Sequence, residues 1–306
     1  MVRVLITDSV SNRLIDILRS AGIGVDYYPD IDPTELRRIV GSYEALTVRS
    51  RTRVTKDIIE AGKNLRVIAR VGVGLDNIDV EYATKKGITV INAGEATAES
   101  VAELTMGLIL AIIRKIHHGY VKLREKSWAK NECFGMELHG KTLGIIGAGN
   151  IGTALGKIAY YGFGMRVLGY RRRLELVQPP LIPTPLDELL SNSDIISIHL
   201  PLNNETERFF GRELFSKLRR GAYVINTSRM GVIDLDALIE ALESKLIGGF
   251  AADTDLKPTD DPRISKLLSF ENVLLTPHIG AQTGEAQDRA AEYIARKLIE
   301  LLGRTQ

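Results

Sequence analysis

Leu143-Gly144-Ile145-Ile146-Gly147-Ala148-Gly149-Asn150-Ile151-Gly152 is the stretch whose reading decides the fold. An apolar strand runs into a G-x-G-x-x-G turn, and residues 151–161 follow with helical spacing. Three glycines alone say little; between a strand and a helix each acquires a physical role. Gly147 permits the tight turn, Gly149 lets an anionic ligand approach the backbone, and Gly152 lets helix and strand pack closely. The helix N-terminus at Asn150 and Ile151 then presents free N–H groups and a partial positive charge to phosphates. A turn with no ligand is the plain alternative. The pattern predicts a dinucleotide-binding βαβ unit.

The end of the next strand selects the dinucleotide. An NAD site usually carries Asp or Glu about 20 residues on, bonding the ribose 2′-hydroxyl. Here that place reads Gly169-Tyr170-Arg171-Arg172-Arg173, with no carboxylate. Guanidinium forks suit a 2′-phosphate, so NADP(H) is favoured, with NAD(H) as the alternative. A solvated basic turn is the competing structural reading.

Outward from this unit, β-α alternation covers the chain. Strands are predicted at residues 2–7, 25–28, 45–48, 67–70 and 88–92, with helices at 11–21, 33–40 and 56–61. After residue 142 the alternation restarts. Strands are expected at 142–146, 166–170, 195–199, 223–226, 249–252 and 273–276, with helices at 186–190, 211–218, 234–244 and 284–302. This implies an α/β fold with parallel sheets covered by helices. Residues 100–117 are apolar on nearly every face, so that helix is expected to be buried on all sides, between domains, between subunits or both.

The 306 residues are 44% hydrophobic and 25% charged, with 40 basic and 38 acidic side chains and a net charge of +2. That balance argues against a nucleic-acid partner. The apolar stretches are too short or too charged to span a bilayer. Cys133 is the only cysteine, so no internal disulfide can form. The opening residues read as a strand rather than a signal peptide, and a cytoplasmic location is expected.

At this point the chain resembles the D-isomer-specific 2-hydroxyacid dehydrogenases, over essentially its whole length. The motifs are Val48-Arg49-Ser50-Arg51-Thr52, Arg70-Val71-Gly72-Val73-Gly74-Leu75-Asp76-Asn77-Ile78-Asp79, the glycine turn, His199-Leu200-Pro201-Leu202, Asn226-Thr227-Ser228-Arg229 and Thr276-Pro277-His278-Ile279-Gly280. The resemblance implies two Rossmann-like and flavodoxin-like parallel-sheet domains. Residues 1–98 and 283–306 would form the substrate domain, and residues 99–282 the inserted cofactor domain. The active site would lie in the cleft, and the 100–117 helix would serve a homodimer. The substrate would be a small 2-hydroxy or 2-keto acid.

Reducing a 2-keto acid needs a hydride at carbon and a proton at oxygen, and a histidine suits the proton donor. By the family pattern that donor is His278. Arg229, just past a strand end, would grip the carboxylate and polarise the keto oxygen. The glycines around Val73 and Gly74 permit a backbone nest for the substrate carboxylate. Arg49 and Ser50, with Arg51, match the segment that meets the phosphate of 3-phosphoglycerate. His199, Pro201, Thr206, Thr227, Ser228, Asp253 and Gly280 resemble cofactor-lining positions.

The chain also departs from the pattern. The family's histidine is paired with a glutamate just before a proline. Here the loop reads Asp253-Thr254-Asp255-Leu256-Lys257-Pro258, which aligns Lys257 with that glutamate. Asp255 is the nearest substitute, with Asp260 and Asp261 more remote. Met230 replaces a usual glycine, and Gly94-Glu95-Ala96-Thr97 lacks the usual hinge Pro and Asn. The leading expectation is oxidoreduction of 3-phosphoglycerate and its keto form. The alternatives are an NADP(H)-dependent glyoxylate or hydroxypyruvate reductase, and a catalytically weak cofactor-sensing protein.

Overall fold

Apolar runs of four or five residues alternate with amphipathic stretches that begin at capping side chains, and each pair becomes a strand and a helix. The computed structural model describes residues 2–303. It divides into two units: residues up to Thr97 together with those from Ala281 onward, and residues Ala98–Gly280.

In the first unit, β1 (Arg3–Ile6), β2 (Gly24–Tyr27), β3 (Ala45–Val48), β4 (Val67–Arg70) and β5 (Thr89–Asn92) form one sheet. All its pairings are parallel. The order β2-β1-β3-β4-β5 is the flavodoxin-like arrangement. Four helices connect the strands: α1 (Asn12–Ser20), α2 (Pro33–Ile39), α3 (Lys56–Ala61) and α4 (Val80–Lys85). Their starts follow from local chemistry. Ser11 accepts the Arg13 N–H at 3.2 Å, and Asp32 accepts the N–H groups of Thr34 and Glu35 beside Pro33.

In the second unit, α5 (Ala98–Ile113) and α6 (Ile116–Arg124) precede β6 (Thr142–Ile146) and α7 (Asn150–Lys157). There follow β7 (Arg166–Tyr170), β8 (Ile182–Pro183), α8 (Leu186–Asn192), β9 (Ile195–Ile198) and α9 (Arg212–Ser216). The unit ends with β10 (Tyr223–Asn226), α10 (Leu235–Glu243), β11 (Gly249–Asp253), α11 (Pro262–Leu268) and β12 (Val273–Thr276). The seven strands are parallel in the order β12-β11-β10-β9-β6-β7-β8. The order reverses between β6 and β9, which is where open α/β sheets bind ligands. One face is covered by α5 and α7 through Ile109, Ile113, Leu143 and Leu155; the other packs on Phe210, Phe215, Leu238 and Phe250. The last helix, α12 (Gly284–Gly303), returns to the first unit, where Ala291, Ile294 and Leu298 share a core with Val4, Ile6 and Leu14.

Two helices differ from expectation. The apolar helix does not run through residue 117. It ends at Ile113, and Lys115 adopts a left-handed φ of 53° before α6 begins. Nor is α5 buried on all sides within the chain. Glu99, Glu103 and Gly107 form an exposed stripe and Leu110 is half-buried. The helix predicted over 151–161 stops being regular at Lys157, and a wider turn over Ile158–Gly162 completes it. Among the described residues, no helix is long and apolar enough to cross a membrane.

Candidate active site

The glycine turn meets the geometric demands of a phosphate cradle. Gly147 has φ +95°, and a Cβ there would stand 2.6 Å from the His199 carbonyl oxygen. A Cβ on Gly152 would stand 2.6 Å from the Gly147 carbonyl oxygen and 2.8 Å from Ile145 Cγ2. A Cβ on Gly149 would meet nothing within 4 Å, so the backbone faces open space there. Gly149 is the N-cap of α7, and no side chain caps that end. The first N–H groups of α7, at Asn150 and Ile151, thus lack intrahelical acceptors and point the positive end of the helix outward. These residues fit a dinucleotide pyrophosphate.

Arg171 follows β7 and donates to the Leu176 carbonyl at 3.1 Å. Arg172 makes an ion pair with Glu205, and both side chains are largely exposed. Arg173 is exposed as well. Glu205 belongs to the loop after β9, where Asn203 Oδ1 accepts the N–H groups of Glu205 and Thr206. The Thr206 hydroxyl is turned into this loop and donates to Pro201 O.

At the ends of β9 and β10 the polar groups are chained together. His199 faces Ser197 Oγ at 2.9 Å through Nε2 and Thr227 Oγ1 at 3.3 Å through Nδ1. Desolvation pushes the imidazole down to about 4, so it is neutral at physiological pH. Asn226, at the end of β10, accepts the Ser228 N–H at 3.0 Å and hydroxyl at 2.7 Å, and donates to the Arg229 carbonyl at 3.0 Å. The Arg229 side chain, 14% exposed, donates to Ser228 O and lies 3.9 Å from Asp255.

The loop after β12 hangs on Asp253. Its Oδ1 accepts from Thr276 Oγ1 at 2.7 Å and Ile279 N at 2.8 Å, and its Oδ2 accepts from Gly280 N at 2.8 Å. Gly280 O in turn accepts from Ser100 Oγ at 2.8 Å. Held between these bonds, His278 is exposed and takes φ +53°, a strained value for a residue with a Cβ. Asp253 therefore shapes the segment that presents the imidazole. Asp255 accepts the Met230 N–H at 2.9 Å and faces Arg229. Its contacts are with the arginine side of the site rather than with the imidazole.

In the first unit, Asp8 and Asn77 organise the loops after β3 and β4. Asp8 accepts the N–H groups of Arg49 and Thr52 and the Thr52 hydroxyl. Asn77 donates to the carbonyls of Arg49 and Thr52 and accepts from Arg70 at 2.9 Å. Arg70 also binds the Gly74 carbonyl, and Asn92 the Val73 carbonyl. Arg70 and Asn92 thus hold the Val73–Gly74 segment by its carbonyls. Arg51 is exposed, with its guanidinium on the Thr7 and Ile31 carbonyls and beside Asp8. Arg49 donates to the Ser9 carbonyl at 3.2 Å, and Ser50 is exposed.

The second unit thus gathers Gly147–Gly152, His199, Thr227–Arg229, Asp253–Asp255 and His278–Gly280 at the carboxyl edge of one sheet. Asp8, Thr105, Ser197, Asn226 and Asn77 had no role in the sequence reading. Asn226 and Asn77 lay inside recognised motifs, so a signal existed. Thr105 gave only the faint signal of a hydroxyl within an apolar helix.

Comparison with known proteins adds three findings. The model of the D-isomer specific 2-hydroxyacid dehydrogenase NAD binding domain matches residues 106–280. Hydroxypyruvate reductase of Thermotoga maritima is 46% identical over 277 residues, 89% of each chain. D-3-phosphoglycerate dehydrogenase of Methanocaldococcus jannaschii is 40% identical over 307 residues, and this alignment covers 99% of the chain but 58% of that protein. The chain thus spans little more than half the length of the phosphoglycerate dehydrogenases it matches. The structure of cofactor (NAD+) bound 3-phosphoglycerate dehydrogenase of Entamoeba histolytica aligns with a TM-score of 0.83 at 27% identity, covering 100% of this chain and 96% of that one.

Proposed function

Because the chain belongs to the D-isomer-specific 2-hydroxyacid dehydrogenase family, we propose that it is a nicotinamide-dependent reductase of a small, unphosphorylated 2-keto acid such as hydroxypyruvate or glyoxylate. The observation that carries the choice of substrate is the set of contacts Arg51 already makes. Its guanidinium is engaged with Thr7 O, Ile31 O and Asp8, which removes one of the two cations expected to meet a substrate phosphate. The match to hydroxypyruvate reductase along 89% of both chains supports the same reading.

In the second unit, His278 is assigned the proton delivered to the keto oxygen, and Arg229 the polarisation of that oxygen. Asp255 orients the Arg229 guanidinium, and Asp253 holds the His278 loop. In the first unit, the N–H groups of Val73 and Gly74 are assigned the substrate carboxylate. The cofactor, when bound at Gly147–Gly152, supplies the hydride. The arginines at 171–173 favour NADP(H), with NAD(H) as the alternative. A homodimer is the proposed assembly.

A second reading, oxidation of 3-phosphoglycerate, is favoured by Arg49, whose guanidinium, among the described residues, donates one hydrogen bond, to Ser9 O. One assay decides. Purified protein is given NADPH or NADH with hydroxypyruvate, glyoxylate or phosphohydroxypyruvate, and cofactor oxidation is followed. Fast turnover of hydroxypyruvate or glyoxylate is expected, and His278→Gln should lower kcat by ~10²–10⁴ while sparing cofactor affinity. A clear preference for phosphohydroxypyruvate would replace this reading with the second one.

A further inference from the structure

His199 is not used by the proposed chemistry, yet it stands in an unbroken line of hydroxyls. Thr105 Oγ1 donates to Val101 O, one turn back on α5, at 2.7 Å. A threonine hydroxyl has one hydrogen, so towards Thr227 Oγ1, 2.9 Å away, Thr105 acts as the acceptor. That uses the Thr227 hydrogen, and Thr227 in turn accepts from His199 Nδ1 at 3.3 Å. Nδ1 therefore carries the proton. Nε2 is left with a lone pair, which accepts from Ser197 Oγ at 2.9 Å. The tautomer follows from the network. Thr105 and Ser197 are fully buried, and Thr227 is 9% exposed. Burial keeps the imidazole neutral, as the line requires.

We propose that Thr105 is a positioning residue: it fixes the Nδ1–H tautomer of His199 and, through Thr227, the start of the loop that carries Arg229. Packing alone does not call for a hydroxyl there, since valine has the same shape. The line ties α5 to the carboxyl ends of β9 and β10. Asn226 restrains the same loop from within β10. Thr105 and Asn226 thus act on it from two directions. The kinetic side of this proposal rests on the reductase reading; the tautomer does not.

The test uses full-length protein labelled with [15N]histidine, read by long-range 1H–15N correlation. The His199 signals are assigned by their loss in His199→Asn. Wild type and Thr105→Ser should show the Nδ1–H tautomer, and Thr105→Val should lose it. Thr105→Val should also lower kcat/KM for the keto acid about three- to tenfold, the scale of one lost hydrogen bond, with Thr105→Ser restoring it. Should Thr105→Val fail to fold, Ser197→Ala probes the line from its other end and should retain the Nδ1–H form. An Nε2–H tautomer in the wild type overturns the proposal, as does one in Ser197→Ala. So does a folded Thr105→Val with wild-type kcat/KM. Absence of turnover in the wild type strikes the reductase reading alone, and the tautomer still decides this one.

Discussion

A histidine in an unfolded chain takes up its proton near pH 6.5, but His199 in the folded protein resists it down to about 4. Folding therefore disfavours the charged form. The stabilisation is complete above pH 6.5 and is lost as the pH falls towards 4, because the unfolded chain gains a proton the folded one refuses. Part of the residue remains open to solvent, so the loss is on the order of 2 kcal/mol. Unfolding in denaturant at pH 7 and pH 4.5 checks this: the stability difference between wild type and His199→Asn should shrink at the lower pH. An unchanged difference would remove the depressed imidazole. His278 shows a different kind of residue-scale constraint. Its left-handed backbone persists because three hydrogen bonds to Asp253 hold the residues on either side.

At the scale of the element, the amino end of α7 separates binding from folding. Gly149→Ala adds a Cβ that meets no protein atom, so thermal stability should hold within about 1 kcal/mol while KM for the cofactor rises tenfold or more. Gly152→Ala drives a Cβ against the Gly147 carbonyl and should cost ~1–3 kcal/mol of stability as well. Thermal scans with and without NADPH read both variants. Most strands and helix starts could be read within a residue or two, because apolar runs and caps such as Asp32-Pro33 encode them locally. The helices α4 and α11 were not among those predicted, although Asp79 and Asp261-Pro262 signal their starts. The break at Lys115 had no signal, since lysine does not advertise a left-handed backbone. The site was half legible: its motifs mark loops, but the partners within them are set in space. Thr105 and Thr227 are 122 positions apart, and nothing in either neighbourhood predicts their contact. The contacts of Arg51 with Thr7, Ile31 and Asp8 are likewise set in space.

At the scale of the whole molecule, α6 and the segment after it carry an unusual load of uncovered apolar surface. Tyr120 is 61% exposed, Trp128 81% and Phe134 87%. Isolated exposed apolar residues are ordinary, but several together mark an interaction surface. Sedimentation velocity should give a species of twice the chain's mass, and Trp128→Ser with Phe134→Ser should give a monomer. A monomeric wild type would refute the proposed homodimer. The chain's path has another consequence, which concerns how the molecule comes into being. The core around β1 includes Ala291, Ile294 and Leu298 of α12, some two hundred residues downstream of β5. On a ribosome making 5–20 residues per second, β1–β5 would wait roughly ten to forty seconds for that helix. During that interval the second unit, whose segments are contiguous, can complete itself, while the first keeps an apolar face bare. Newborn chains should therefore depend on chaperones through their amino-terminal half.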